Sequence, residues 1–227
     1  MSVNMNSFVL VAFFCAVTQV NDGSAAAKPP IREAPSVLKG TDHGIGREIP
    51  DLEFTDLNGK AGRLSQLNAR HPVVILITGI GCPLCRRYAP SLARLEKDYH
   101  EKGVRFLFVN PNKAEKRARV REAVNTHGFK GPYVRDTTHA IIRALAAKTT
   151  TEAFLLDSQR TLVYRGAVDD QYGFGYSLNA PRRSYLRNAL DAVLDGQPPR
   201  ISATSSPGCE LWIDHEEAET TETGKGK

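Results

Sequence analysis

Cysteines are few, and their number limits the kinds of protein this sequence can encode. Only four occur in 227 residues, and the first, Cys15, lies in an apolar N-terminal stretch. The other three, Cys82, Cys85 and Cys209, are too few for a disulfide scaffold and odd in number, so they cannot all pair within the chain. At least one thiol therefore needs an explanation other than a structural disulfide.

Long hydrophobic runs are also lacking. The most apolar N-terminal stretch, residues 8–17, is too short to span a membrane, and small residues follow it at Ala25 and Ala27. This pattern predicts a secretory signal peptide over residues 1–27, which would remove Cys15, although no Lys or Arg precedes the apolar stretch. We therefore expect a periplasmic or secreted protein, and an uncleaved membrane anchor is the alternative.

Basic charge is present without the pattern of a nucleic-acid-binding surface. The formal net charge is +5, and basic side chains concentrate in "NKAEKRARVREAV", residues 112–124. No aromatic residue stands among these charges to stack on bases. We interpret the segment as a solvated helix face and expect no nucleic-acid partner.

The order of elements indicates one α/β domain, because this length with 41% hydrophobic residues can bury one substantial core. A β-α-β order predicts a parallel core, which two antiparallel strands complete. The predicted strands are residues 51–54, 73–78, 104–109, 132–136, 153–157 and 162–166, and the predicted helices are residues 84–101, 114–126, 138–147 and 184–196.

Both ends of this domain have the composition of flexible chain. Residues 28–47 are rich in Pro and Gly and predict a flexible linker, and residues 48–198 form the predicted domain. Residues 199–227 predict a C-terminal extension that carries the third cysteine and ends in a disordered acidic tail.

Cys82 and Cys85 stand one helical turn apart in "GIGCPLCRRY", directly after the apolar run "VVILIT". At a helix start, unpaired amides and the positive end of the helix dipole stabilise a thiolate on the first sulfur. Pro83 suits the first helical turn, and Arg86 and Arg87 add positive charge that favours the thiolate. We predict that Cys82 is the nucleophile and Cys85 the resolving thiol.

Other uses of this cysteine pair are less well supported by the sequence. A permanent disulfide across so small a loop gains little chain entropy. A covalent haem site needs His where Arg86 stands, and zinc needs a second ligand pair that the sequence lacks. A copper(I) site formed by the pair with His139 or Cys209 stays open. We predict no cofactor and no metal.

The sequence resembles the thioredoxin-like superfamily over residues 48–213, in particular exported redoxin-domain proteins related to the AhpC/TSA and thiol-disulfide oxidoreductase branches. The likeness rests on "IPDLEFTDLNGKAGRLSQL", "VVILITGIGCPLCRRYAPSLARLEKDY", "TTTEAFLLD", "YRGAVDDQYGFGY" and "SPGCELW". It implies a thioredoxin-like three-layer α/β/α sandwich with a central mixed sheet, and dithiol-disulfide exchange outside the cytoplasm.

The sequence departs from these relatives at two places. Thr151 stands where they carry a cis-proline beside the cysteines. Either its hydroxyl reaches Cys82 and tunes that thiol, or the replacement has simply drifted without a role at the site. The strand before the cysteines also lacks the acidic residue that accepts the proton of the resolving thiol, so another group or water must take it.

A peroxidase is the nearest enzymatic alternative. Peroxiredoxin-like enzymes place Thr or Ser three residues before the reactive cysteine, where this chain has Gly79, and Thr78 is one residue out of register. Cys209 is inert, exposed, or a third exchanging thiol, and relatives share its Gly-Cys pair. Aromatic residues in "DDQYGFGY" form either a rim for a protein substrate or ordinary packing, and we favour packing.

We therefore predict a thiol-disulfide oxidoreductase that acts through the Cys82/Cys85 couple, with Thr151, Arg86 and Cys209 as candidate supporting residues. Its expected partners are a protein disulfide or dithiol substrate and an upstream reductant, and it would contact a membrane only through an uncleaved N-terminal segment. A non-catalytic copper-binding or metal-binding redoxin is the alternative from another class.

Overall fold

The computed structural model describes residues 34–212, so the predicted signal peptide and acidic tail lie outside the described residues. A five-stranded sheet forms the centre, in the order β5-β4-β3-β6-β7. Its strands are β3 (Val73–Ile77), β4 (Arg105–Asn110), β5 (Tyr133–Arg135), β6 (Ala153–Leu156) and β7 (Leu162–Gly166). Strands β3, β4 and β5 are parallel, whereas β6 is antiparallel to both of its neighbours, β3 and β7, so the predicted mixed sheet is confirmed.

Helices cover both faces of this sheet. They are α1 (Leu64–Asn68), α2 (Pro83–His100), α3 (Arg117–His127), α4 (Ala140–Leu145) and α5 (Tyr185–Leu194). Alternate residues of β3 point to opposite faces. Val74 and Leu76 pack with residues of α2, α3 and α5, while Ile75 packs with residues of α1 and α4. The predicted three-layer α/β/α sandwich is therefore confirmed.

Two small hairpins complete the secondary structure. Strands β1 (Glu53–Thr55) and β2 (Ala61–Arg63) form the first, and β8 (Tyr172–Gly173) and β9 (Tyr176–Ser177) form the second. The helix predicted from residue 114 begins at Arg117. The residues before it form a loop instead, since Asn110 Oδ1 and Asn112 Oδ1 accept the backbone N–H groups of Asn112 and Ala114.

The described parts of the two flanks pack onto the domain. The predicted linker contains a 3-10 helix, Gly40–His43, and the Gly46 N–H donates to the Leu162 carbonyl of β7 at 2.8 Å. On the C-terminal side, the Arg165 N–H of β7 donates to the Ser202 carbonyl. The domain boundaries stay a prediction, but within the described residues both flanks are joined to the sheet by hydrogen bonds. No helix in residues 34–212 is long and apolar enough to cross a membrane.

Candidate redox site

The two cysteines lie just beyond the C-terminal end of the central strand, β3. Strand β3 ends at Ile77, and the Thr78 N–H still pairs with the Val109 carbonyl before the chain turns into α2. Cys82 is the N-cap of α2, with extended backbone (φ −80°, ψ 120°), and Pro83 occupies the first turn. The sulfur therefore lies at the amide end of the helix, where a negative charge is stabilised.

Hydrogen bonds to Cys82 come from both near and distant parts of the chain. Its Sγ accepts the Cys85 backbone N–H at 3.4 Å and lies 3.2 Å from Thr150 Oγ1. The Cys85 thiol, the Thr150 hydroxyl and the Cys209 thiol together lower the Cys82 pKa to about 4, against the opposing effect of burial, and the Cys85 thiol contributes most. Cys82 is therefore a thiolate at neutral pH.

Cys85 has the opposite character. It is 2% exposed, and its pKa is raised well above the usual value because its thiol donates to Cys82 and because it is buried. At neutral pH the pair therefore carries one proton, and that proton is on the Cys85 sulfur. This arrangement matches the predicted division into a nucleophile and a resolving thiol, whose catalytic roles remain a proposal.

The loop beside the cysteines differs from the prediction. Thr151 has φ +65°, and its hydroxyl donates to the Pro207 carbonyl, so it does not reach Cys82 as expected. The hydroxyl that contacts Cys82 Sγ belongs to Thr150. The reason is geometric: the Thr151 N–H is fixed to the Ile77 carbonyl at 2.8 Å, and its hydroxyl is bound to the Pro207 carbonyl. No peptide bond within residues 34–212 is cis.

Cys209 lies at the same site although it is 124 residues beyond Cys85 in the sequence. Its N–H donates to Thr150 Oγ1 at 2.8 Å, and its carbonyl accepts the Thr150 N–H at 2.9 Å. Its side chain is exposed, and its pKa is raised by partial burial and by its hydrogen bond to Cys82. Of the candidate supporting residues, Cys209 therefore joins the cysteine pair.

Arg86 is exposed at the start of α2, and its support of the Cys82 thiolate stays a prediction. The groups that lower the Cys82 pKa most are the Cys85 and Thr150 side chains, with the Cys85 backbone and the Cys209 side chain. A helix presents successive side chains in different directions, so an arginine one residue past Cys85 is carried towards solvent.

Comparison with known proteins supplies the family. A sequence model described as Redoxin matches residues 45–176, more than half of the chain. The protein belongs to the Redoxin family. This redoxin is 29% identical over 119 residues to a Bacillus anthracis protein named thiol-disulfide oxidoreductase ResA, a match that covers 52% of this chain and 67% of that one. Its predicted membership of the thioredoxin-like redoxins is confirmed.

Solved structures agree on the fold. A hypothetical protein from Sinorhizobium meliloti 1021 superposes on this redoxin with a TM-score of 0.69 at 26% identity, covering 81% of this chain and 100% of that one. An uncharacterized conserved protein from Geobacillus kaustophilus gives the same TM-score and identity and covers 99% of its own chain. A peroxidoxin, BcpB from Mycobacterium tuberculosis, has a TM-score of 0.51 at 20% identity, which supports the fold alone.

Glu115 is a second polar residue of the redoxin site that the sequence did not reveal. Its carboxylate accepts the N–H of Ile80 at 3.0 Å and that of Gly81 at 2.7 Å, and it also binds the Asn110 side chain. These bonds fix the turn between β3 and Cys82. The residue was interpreted as part of a solvated helix, and only the observed loop before α3 brings it to the cysteines.

Aromatic residues enclose the other side of the couple. Tyr172 packs against the cluster of Cys82, Leu84 and Cys85, and its ring lies edge-on to Tyr88 with 4.9 Å between centroids. The Tyr88 hydroxyl donates to Asp169 Oδ1 at 2.8 Å. This hairpin therefore contributes packing at Tyr172, as favoured from the sequence.

The alternatives to thiol chemistry gain no specific support. A cleft of about 570 Å³ beside Cys82 is lined by Thr150, His139 and Cys209 among others, but His139 Nε2 is paired with the Pro111 carbonyl at 3.0 Å. Within residues 34–212, no group of three or more His, Cys, Asp or Glu side chains is placed to hold a metal ion. For the peroxidase alternative, the sequence offered Thr78, which is buried in the turn between β3 and α2. The hydroxyl that contacts Cys82 belongs to Thr150 in the loop of residues 148–151, so Thr78 does not supply the hydroxyl of a peroxidase site.

Proposed function

We propose that this redoxin is a thiol-disulfide oxidoreductase that exchanges two electrons with protein disulfides or dithiols through Cys82 and Cys85 outside the cytoplasm. The observation that carries the proposal is the pairing of a hydrogen-bonded Cys82 thiolate with a protonated, buried Cys85 one turn away. The name of the Bacillus relatives, thiol-disulfide oxidoreductase ResA, points to the same chemistry.

In the reducing direction, the Cys82 thiolate attacks one sulfur of a substrate disulfide and releases the other sulfur as a thiolate. Cys85 then loses its proton and attacks Cys82 Sγ, so that the Cys82–Cys85 disulfide forms and the bound substrate sulfur leaves. The departing substrate thiolate takes the Cys85 proton, since the preceding strand has no carboxylate and the nearby Glu115 carboxylate is occupied by the Ile80 and Gly81 N–H groups. An upstream dithiol reductant restores the couple, and the same steps reversed oxidise a dithiol substrate.

Insulin reduction by dithiothreitol tests this activity. The parent protein should accelerate the reaction, Cys82→Ala should lower the rate to the uncatalysed level, and Cys85→Ala should slow the reaction. Ser91→Ala is a matched control on the same helix, since its hydroxyl bonds only the Tyr88 carbonyl. Activity that survives Cys82→Ala would contradict the proposal.

The extracytoplasmic location rests on the predicted signal peptide. Protein purified from its native host should begin near Lys28, as determined by N-terminal sequencing. An intact Met1 on membrane-bound material would instead identify an anchor, and an intact Met1 on cytoplasmic material would contradict export.

A further inference from the structure

The C-terminal segment formed by residues 206–211 lies along the loop of residues 148–151, and we call it the tail segment. The two pair as extended chains: the Thr150 N–H donates to the Cys209 carbonyl, and the Leu211 N–H donates to the Lys148 carbonyl, both at 2.9 Å. Side chains add to this pairing, because the Thr149 hydroxyl donates to the Ser206 carbonyl at 3.2 Å. Cys209 is thus held by the backbone of the loop that borders Cys82.

Gly208 allows the two chains to come this close. A Cβ atom at that position would collide with the Thr150 carbonyl oxygen, so any other residue would push the tail segment away from the loop. The next residue, Cys209, places its N–H on Thr150 Oγ1, the oxygen that also contacts Cys82 Sγ. The Gly-Cys pair therefore serves one geometric purpose, the placement of a thiol beside Cys82.

Cys82 has a sulfur neighbour on each side, and the two neighbours differ in access. Cys85 is buried and lies one helical turn from Cys82, and its backbone N–H donates to Cys82 Sγ. Cys209 is exposed, lines the same cleft as Cys82, and donates its N–H to the Thr150 Oγ1 that contacts Cys82 Sγ. Both neighbours are therefore placed to attack Cys82 Sγ, but only Cys209 is open to an external thiol.

We propose that Cys209 is a third redox cysteine, so that one disulfide of this protein alternates between Cys82–Cys85 and Cys82–Cys209. This inference rests on the proposed function, which supplies the disulfide by oxidation of the protein with a disulfide substrate. Cys209 thereby transfers electrons between the buried couple and an external dithiol reductant.

The exchange is balanced without any additional oxidant. In the oxidised protein, the Cys209 thiolate attacks Cys82 Sγ, the Cys82–Cys209 bond forms, and the Cys82–Cys85 bond breaks. Cys85 leaves as a thiolate and takes up the proton that Cys209 lost. An external dithiol then attacks the exposed Cys209 Sγ, releases Cys82 as a thiolate, and resolves to its own disulfide, so that two electrons enter the protein.

The test uses full-length Cys85→Ser protein, with oxidised glutathione as the probe disulfide. Glutathione should first form a mixed disulfide with Cys82, and Cys209 should then displace it to give an intramolecular Cys82–Cys209 bond. Peptide mapping under non-reducing conditions identifies that bond. In Cys85→Ser/Cys209→Ser protein, glutathione should stay on Cys82 at least about a hundredfold longer, because no tethered thiol is present at high effective concentration.

Gly208→Ala in the Cys85→Ser background tests whether the position of the Cys209 thiol beside Cys82 matters, or only its presence in the chain. It keeps Cys82 and Cys209 but displaces the tail segment, so the glutathione adduct should persist. Ser205→Ala is the matched control, because its hydroxyl accepts the Ser36 N–H away from the cysteines, and it should leave the displacement fast.

The possible results distinguish the two proposals. If glutathione persists on Cys82 in Cys85→Ser as long as in the double variant, Cys209 is not a redox cysteine and the proposed function stands. If Cys82 of the double variant forms no adduct, Cys82 does not attack disulfides, and both proposals are wrong. A Cys82–Cys209 bond in Cys85→Ser that is suppressed by Gly208→Ala supports the inference.

Discussion

Two regions meet at Cys82 Sγ, and they are built in different ways. The redox turn, residues 79–85, takes its shape from adjacent residues: Cys82 caps α2 and receives the N–H of Cys85, three residues later. The loop and the tail segment are held by bonds between distant residues, such as Cys209 to Thr150, which are 59 positions apart. The reactivity of one sulfur therefore depends on a local helix start and on a long-range pairing that must form separately.

A buried ion pair anchors the second region. Arg165 of β7 donates from Nη2 to Glu152 Oε1 at 2.6 Å, with both side chains no more than 7% exposed. The other carboxylate oxygen of Glu152 accepts the Lys148 N–H at 2.9 Å. The Glu152 carboxylate thus holds the start of the loop of residues 148–151 and is itself held by Arg165 of β7. This fixes the loop although it has no regular secondary structure of its own.

The largest expected effect comes from breaking this anchor. Glu152→Ala leaves the buried Arg165 guanidinium without its carboxylate, and it should lower the free energy of unfolding by about 3–5 kcal/mol. Glu53→Ala is the matched control, because its pair with Arg63 is exposed, and it should cost less than about 1 kcal/mol. Denaturant unfolding measures both variants. Equal losses would mean that the buried pair does not anchor the loop.

The titration of Cys82 separates the contributions of the two regions. Cys85→Ala removes the donor that lowers the Cys82 pKa most, and Thr150→Val removes a weaker donor from the distant loop. Both changes should raise the Cys82 pKa from about 4, with the larger rise in Cys85→Ala, because a thiolate loses stability with each donor it loses. Iodoacetamide alkylation across pH, mapped to the Cys82 peptide, measures this. A larger shift for Thr150→Val would place the main control in the loop.

The same shift predicts how stability depends on pH. The Cys82 pKa is lower in the folded protein than the ordinary thiol value of 9.0, so folding favours the thiolate. Its stabilising contribution is fully present above that ordinary value and is lost as the pH falls towards about 4. Reduced parent protein should therefore lose more stability over this range than Cys82→Ala, as denaturant unfolding at several pH values measures. Parallel curves would contradict the low pKa.

The redox turn could be predicted from the sequence because its determinants are adjacent in the chain. An apolar strand, a CxxC motif and a Pro after the first Cys specify the helix start, and the observed α2 begins within one residue of the predicted position. Cys209 was a candidate third thiol from the sequence, but the residues that hold it at the site were not predicted. Thr150 and Glu115 could not be joined to the turn, because their positions depend on pairings between segments that lie far apart in the chain.

The prediction for Thr151 was wrong for a related reason. The side chain was assumed to face Cys82 in place of a proline ring, but the left-handed backbone at Thr151 directs its hydroxyl to Pro207. Proline would not be a clean probe at this position, since its φ is fixed near −65° and it cannot donate to the Ile77 carbonyl. Thr151→Pro should therefore disturb the loop itself, and any change at Cys82 would follow from that disturbance.

Thr151→Gly gives the smallest expected effect and the sharpest comparison with its neighbour. Glycine adopts φ +65° without the strain of a β-branched residue, which costs about 1–3 kcal/mol, but it loses the hydroxyl bond to Pro207, which contributes about 0.5–1.5 kcal/mol. Because these terms oppose each other, the free energy of unfolding should change by no more than about 2.5 kcal/mol. The alkylation profile of Cys82 should stay where it is, since the Thr151 hydroxyl does not contact that sulfur, whereas Thr150→Val should move it. If Thr151→Gly shifts the Cys82 pKa as much as Thr150→Val does, the two threonines act on the sulfur through the position of the whole loop, and the direct hydrogen bond from Thr150 is not the cause.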